Sequence, residues 1–184
     1  MAKYRHQLPQ LCNELFITDG GLETTLVFQD ERELPCFAAF DLLKDESGYA
    51  RLRAYFEDYI KLAKQHNLGF VLESATWRAS TDWGTQLGYS QKELDQLNHR
   101  AIELLHELRD EYENDQAPIV ISGCIGPRGD GYAPDQNMTV EEAAGYHLPQ
   151  IKTLGEAAVD MVSAFTIPTV DEAIGMVQAA QTAG

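Results

Sequence analysis

Residues 16–25, Phe-Ile-Thr-Asp-Gly-Gly-Leu-Glu-Thr-Thr, put an acid and two glycines directly behind an apolar run. Leu15, Phe16 and Ile17 read as the end of a buried strand, with Asp19 at its carboxyl end. Gly20 and Gly21 let the backbone turn sharply or come close to a ligand. An acid in that place is where open α/β sheets and β/α barrels keep their chemistry. The same residues also suit an Asp-Gly turn that only reverses the chain. Glu23 follows in the same loop. A second polar segment, residues 73–80, begins with Glu73 and carries Thr76 and Trp77. A third, residues 122–132, is glycine-rich and carries Cys124 and Arg128; a fourth runs from Phe165 to Pro168. Asp19 and Glu73 suit an acid/base pair if the fold brings them together.

Positioning these segments requires elements between them, and the pattern alternates. Leu15–Thr18 is a short strand. Over Tyr49–His66, Leu52, Tyr55, Phe56, Tyr59, Ile60 and Ala63 fall on one helical face. Asn67-Leu68-Gly69 ends that helix, with Gly69 reading as its cap. Phe70–Leu72 is a second strand. Ser90 with Glu93 three residues on forms a capping box for a second helix, whose stripe is Leu94, Leu97, Ala101, Leu104, Leu105 and Leu108. Ile119–Ile121 is an unbroken apolar run, as in a parallel strand covered on both faces. Thr139 and Glu142 open a third helix in the same way. Val159–Val162 is the fourth strand, and Val170–Ala183 the fourth helix, with Ile174 and Val177 on its inner side.

Four strand–helix units in series give a parallel sheet with right-handed crossovers. A small doubly wound sheet fits, and so does the first half of an eight-fold barrel, which typically takes about 250 residues. A doubly wound sheet concentrates ligand groups at one switch point, whereas polar and glycine-rich loops here follow all four strands, which favours the barrel.

Composition narrows the function. The 184 residues carry 14 basic and 29 acidic side chains, a net charge of −15. That field repels nucleic acid and anionic membrane surfaces, which excludes both as primary partners. No stretch is apolar enough to span a bilayer, and the amino terminus lacks a signal core, so the chain reads as cytoplasmic. Cys12, Cys36 and Cys124 are too far apart for a disulfide framework or a C-x-x-C metal pair. No G-x-G-x-x-G or G-K-[ST] fingerprint is present, so no nucleotide cofactor is expected. Gly126–Gly131 with Arg128 suits an anion cradle less well than a glycine-rich active-site loop. His66, His99 and His106 fall on helical stretches and read as surface residues.

Taken together, residues 17–23, 74–80, 122–127 and 166–173 resemble the homocysteine S-methyltransferase family. The resemblance runs from Leu15 to Gly184, and four motifs in order are far more specific than any one. It implies the first half of a TIM-type (β/α)8 barrel, a single partial domain over residues 1–184. It also implies methyl transfer from a sulfonium or quaternary ammonium donor to homocysteine, with a zinc ion on three cysteines holding the sulfur as thiolate. Asp19 matches the family's substrate-binding acid loop and is expected to contact the amino acid's ammonium group. Gly20, Gly21, Glu23, Glu73, Thr76, Trp77 and Cys124 complete the expected substrate-binding set.

Two departures stand out. The family's metal cysteines lie in an Asn-Cys and a Gly-Gly-Cys-Cys segment, and this sequence has neither. Phe165 stands where the family usually places a glutamate before Thr-Ile-Pro to bind the substrate's amino group; either Asp19 or Glu73 takes over that contact, or the substrate is not homocysteine. The expectation is therefore a chain inactive alone, with no metal ligands of its own. Two alternatives fit: a non-catalytic half-barrel that binds a small amino acid or self-associates through its open edges, and a metal-free enzyme on the same scaffold.

Overall fold

The computed structural model describes residues 1–132 and 137–184. Its single sheet has four parallel strands, β1 (Phe16–Thr18), β2 (Gly69–Glu73), β3 (Ile119–Ile125) and β4 (Met161–Ala164), in the order β1-β2-β3-β4. Strictly sequential order has no switch point. It is the winding of a β/α barrel, not of a doubly wound sheet. All seven β3 residues are buried, as a strand covered on both faces requires. Among the described residues, β1 and β4 each pair on one side only.

Each crossover is helical. One turn, α1 (Leu22–Thr24), and a run of π- and 3-10 turns over residues 25–44 lead into α2 (Glu46–Gln65). The Asp45 carboxylate caps α2 by accepting from the Gly48 N–H at 2.8 Å, so the helix starts three residues before the predicted Tyr49. Its buried stripe is Leu52, Tyr55, Phe56, Ile60 and Ala63, each large apolar side chain contributing about 1.5–3 kcal/mol. Gly69 is not its cap. Asn67 takes the left-handed conformation, with Leu68 N–H bonded to Ala63 and Asn67 N–H to Lys64, a Schellman closure. Gly69 instead opens β2, where a Cβ would come within 2.4 Å of the Phe16 ring.

The short α3 (Thr81–Gln86) precedes α4 (Gln91–Tyr112), which carries the predicted Ser90–Glu93 capping box and buried leucine stripe. Thr139 and Glu142 likewise form a box on α5 (Val140–Glu156). The last helix, α6 (Val170–Ala183), is rotated from expectation. Its buried residues are Glu172, Gly175, Met176 and Ala179, whereas Ile174 and Val177 are 44% and 58% exposed. Gly175 is the cause: a Cβ there would lie 2.5 Å from the Ala143 Cβ, so α6 can press its glycine face on α5. That turns Val170, Ile174 and Val177 outward. No helix among the described residues is long and apolar enough to cross a membrane.

β4 begins two residues later than predicted because residues 157–160 are committed to a turn. Ala158 is left-handed, and the Asp160 N–H bonds to Ile121 O at 2.9 Å. The Asp160 carboxylate then takes four donors: Lys3 N and Tyr4 N on Oδ1, Ile121 N and the Arg109 guanidinium on Oδ2, at 2.7–2.9 Å. Arg109 and Asp160 are both buried. Removing one partner of such a pair leaves the other charge uncompensated, at about 3–5 kcal/mol. Asp160→Ala is therefore expected to lower the unfolding free energy by about that much in urea titrations, and Lys3→Ala by under about 1 kcal/mol, since only its exposed side chain is lost.

Candidate functional site

A cavity of about 290 Å³ opens at the carboxyl ends of the strands. β1 and the following turn deliver Asp19, Gly20, Gly21 and Glu23; β2 delivers Glu73 and, beyond it, Ser74 and Trp77; β3 delivers Cys124; and Phe165 follows β4. Phe37 and Tyr132 add aromatic wall. Seven of the eight residues expected from the sequence meet here. The eighth, Thr76, does not line the cavity. Its side chain is fully buried and donates to Cys124 O at 2.7 Å, while Ser74 Oγ lies 2.6 Å from it and accepts from the Cys124 N–H. Thr76 is thus a tie between β2 and β3.

The Asp19 loop is held from outside. Gly21 is left-handed, with φ 69°, and starts α1. Tyr55 donates to Asp19 Oδ2, and it and Tyr59 both reach Gly20 O, at 3.0–3.1 Å. These tyrosines were visible in the sequence only as members of an apolar stripe. Their spacing of four on one face was the available signal that two hydroxyls would project together.

Three carboxylates face the cavity, and no Lys, Arg or His is among its described lining residues. Burial pushes Asp19 above the ordinary aspartate range, partly offset by the Tyr55 hydrogen bond. Burial also raises Glu23, and the nearby charge of Asp19 adds to it. Burial raises Glu73 furthest, to about 7, against the pull of the Ser122 and Ser163 hydroxyls and with a push from Asp19. Glu73 Oε2 is buried without a hydrogen-bond partner. The Cys124 thiol is pushed well above its usual value by burial and by Glu73, Glu23 and Asp19 in turn, so it packs as a neutral thiol. Asp19 and Glu73, expected as an acid/base pair, therefore share one cavity and feel one another's charge.

The segment Gly126–Gly131, read from the sequence as suiting an anion cradle less well than a glycine-rich active-site loop, is not free to cradle an anion. The Arg128 guanidinium pairs with Asp82 at 2.9 Å and lies over the Tyr146 ring, and the Arg128 backbone N–H donates to Glu172. Gly126 is packed against Trp77, where a Cβ would meet Trp77 O at 2.4 Å. Arg78 lies over the rings of both Trp77 and Trp83 and donates to Cys36 O. Of the histidines expected on the surface, His66 is exposed, but His99 and His106 are half-buried, the latter between Ala157 O and Arg109. His147 is fully buried and bonded to Glu172 at 3.0 Å, an anchor the sequence did not disclose.

The homocysteine S-methyltransferase family model matches residues 16–183. No curated protein matches. Among solved structures, the oxidized form of the homocysteine methyltransferase MmuM from Escherichia coli superimposes with a TM-score of 0.74 at 19% identity, over 95% of this chain and 60% of that one. Its metallated form gives 0.72 at 18% identity, over 95% and 62%, and its apo form 0.64 at 20%, over 96% and 58%. At these identities the likeness shows the fold: four parallel strands alternating with helices match part of MmuM's TIM barrel. The chain spans about 60% of MmuM's length.

Glu73 gives stability a pH dependence of known sign. Its folded value lies above the ordinary 4.5, so the folded state keeps a proton that the unfolded chain releases. Stability is then highest below about pH 4.5 as far as Glu73 is concerned, and falls as pH rises to about 7. The loss is on the order of 3 kcal/mol at most. Urea titrations across this window should show the slope in the wild type and a flatter one in Glu73→Gln.

Proposed function

This chain belongs to the homocysteine S-methyltransferase family, and we propose that it supplies the acid- and aromatic-lined part of a site that methylates the homocysteine thiolate to methionine. The observation that carries this reading is the meeting of Asp19, Glu23, Glu73, Trp77 and Cys124 in one cavity at the strand ends. A sulfonium or quaternary ammonium donor is a cation without hydrogen-bond donors of its own at the charged centre. Aromatic side chains such as Trp77 and Phe165, in a cavity that three carboxylates also line, suit such a group. In the transfer, a sulfur lone pair forms the new S–C bond while the donor's C–S or C–N bond breaks. The departing electron pair stays on the donor heteroatom, which leaves as a neutral thioether or tertiary amine. The work of these residues is to hold both reactants in line and out of water.

The family's zinc ion does not fit the residues present. Among the described residues no group of three or more His, Cys, Asp or Glu is placed to hold a metal. Cys12 is exposed, Cys36 half-buried and Cys124 buried as a neutral thiol. No step is assigned to a metal on this chain. The thiolate-holding cysteines are proposed to come from polypeptide outside these 184 residues.

A second reading, a self-associating half-barrel, is favoured by one observation. The unpaired edge of β4 lies beside a groove lined by Val162, Ala164, Met176 and Ala180, next to the outward stripe of Val170, Ile174 and Val177. Unpaired strand edges and apolar patches of this kind attract partners.

Two measurements separate these readings. With homocysteine and S-methylmethionine or betaine supplied, the purified chain should form no methionine above the protein-free control; turnover by the chain alone overturns the division of labour proposed here. Light scattering at micromolar concentration should give a mass above the 20.5 kDa of one chain, reduced by Ile174→Glu with Val177→Glu. A monodisperse wild-type monomer rejects self-association.

A further inference from the structure

We propose that Glu73 is the carboxylate that takes the substrate's amino group in this cavity, doing from β2 what an acid on β4 cannot do where Phe165 stands. The inference rests on reading the chain as a binder of an amino-acid thiol. Of the two acids that the sequence leaves open for that contact, Asp19 and Glu73, it selects the one not first expected.

The three acids of the cavity are not equivalent. Asp19 is engaged on one oxygen: Oδ2 accepts from Tyr55 at 3.0 Å, while Thr18 Oγ1, 3.4 Å from Oδ1, donates its one proton to Val71 O at 3.0 Å. With Gly20 O held by the same Tyr55, its carboxylate fixes the loop. Glu23 stands on the single turn of α1 and has Arg78 near enough to attract it. Glu73 alone has a buried oxygen, Oε2, with no hydrogen-bond partner. An orphaned buried acceptor costs about 1–3 kcal/mol, and more when charged. An ammonium group carries three donors and a full positive charge, and a charge-assisted hydrogen bond is the strong kind. It answers both deficits at once.

The placement also explains how β2 can serve a site that β4 has left without an acid. Glu73 is in register with Ser122 on β3. Ser122 Oγ is 2.7 Å from Ser163 Oγ on β4, and both hydroxyls lie beside the Glu73 carboxylate. The charge therefore reaches across β3 toward the strand that ends at Phe165. Phe165 lines the same cavity, and its carbonyl accepts from Trp77 Nε1 at 3.5 Å. Its ring offers an apolar wall to the substrate's carbon chain.

The test titrates the full chain with two probes, L-homocysteine and ethylammonium, by calorimetry at a pH above the range in which Glu73 titrates. Both should bind the wild type, and Glu73→Gln should weaken both about 10–100-fold. Adding Phe165→Glu to Glu73→Gln should restore at least about tenfold of that loss, since it returns an acid to β4; a variant that merely unfolds cannot be rescued this way. If ethylammonium binds through Glu73 but homocysteine binds no more tightly, the Glu73 assignment stands and the thiol amino-acid reading falls. If Glu73→Gln binds both probes as the wild type does, or the wild type binds neither, the assignment is overturned.

Discussion

The Asp160 carboxylate is the constraint on which this half-barrel depends. Its two oxygens collect backbone N–H groups from the amino-terminal segment and from β3, together with the buried Arg109 guanidinium of α4. One side chain thereby fixes where β4 starts, seals the amino-terminal end of the sheet and ties a crossover helix to both. Arg5 extends the same seal, bonding to Val159 O and Gly155 O. In barrels of this kind the amino-terminal face serves stability and the carboxyl-terminal face serves chemistry. The molecule follows that division closely.

The two ends differ in how their charges are answered. At the closed end every oxygen of Asp160 has donors. At the open end Asp19, Glu23 and Glu73 face one cavity with no cation among its described lining residues, and burial holds all three above their ordinary ranges. Buried acids held above their ordinary ranges are tolerated at a functional face at some cost in stability.

Much of this was legible in the sequence, for identifiable reasons. Capping boxes are local, so Ser90–Glu93 and Thr139–Glu142 were read correctly. Leucine spacing gave the α4 stripe, and an unbroken apolar run gave β3. The glycine turn after β1 announced the cavity because strand ends collect ligand groups. What was not legible depends on long-range packing. The rotation of α6 follows from Gly175 meeting α5, a contact no periodicity within α6 reveals. Thr76 turned inward because Ser74 and Cys124, the latter 48 residues away, take up its hydroxyl. The delayed start of β4 comes from the bonds at Asp160. Asn67, not Gly69, closed α2, because Gly69 was needed flat against Phe16.

Glu172 links the outward face of α6 to the wall of the cavity. It sits on α6, the helix with the outward apolar stripe, and accepts from both His147 on α5 and the Arg128 N–H in the loop after β3. That loop carries on to Tyr132, part of the cavity wall. Any body that settles on Ile174 and Val177 therefore leans on the helix that tethers the wall. The outward apolar face and the cavity wall thus share one helix, with Glu172 turned inward to the loop while Ile174 and Val177 face outward.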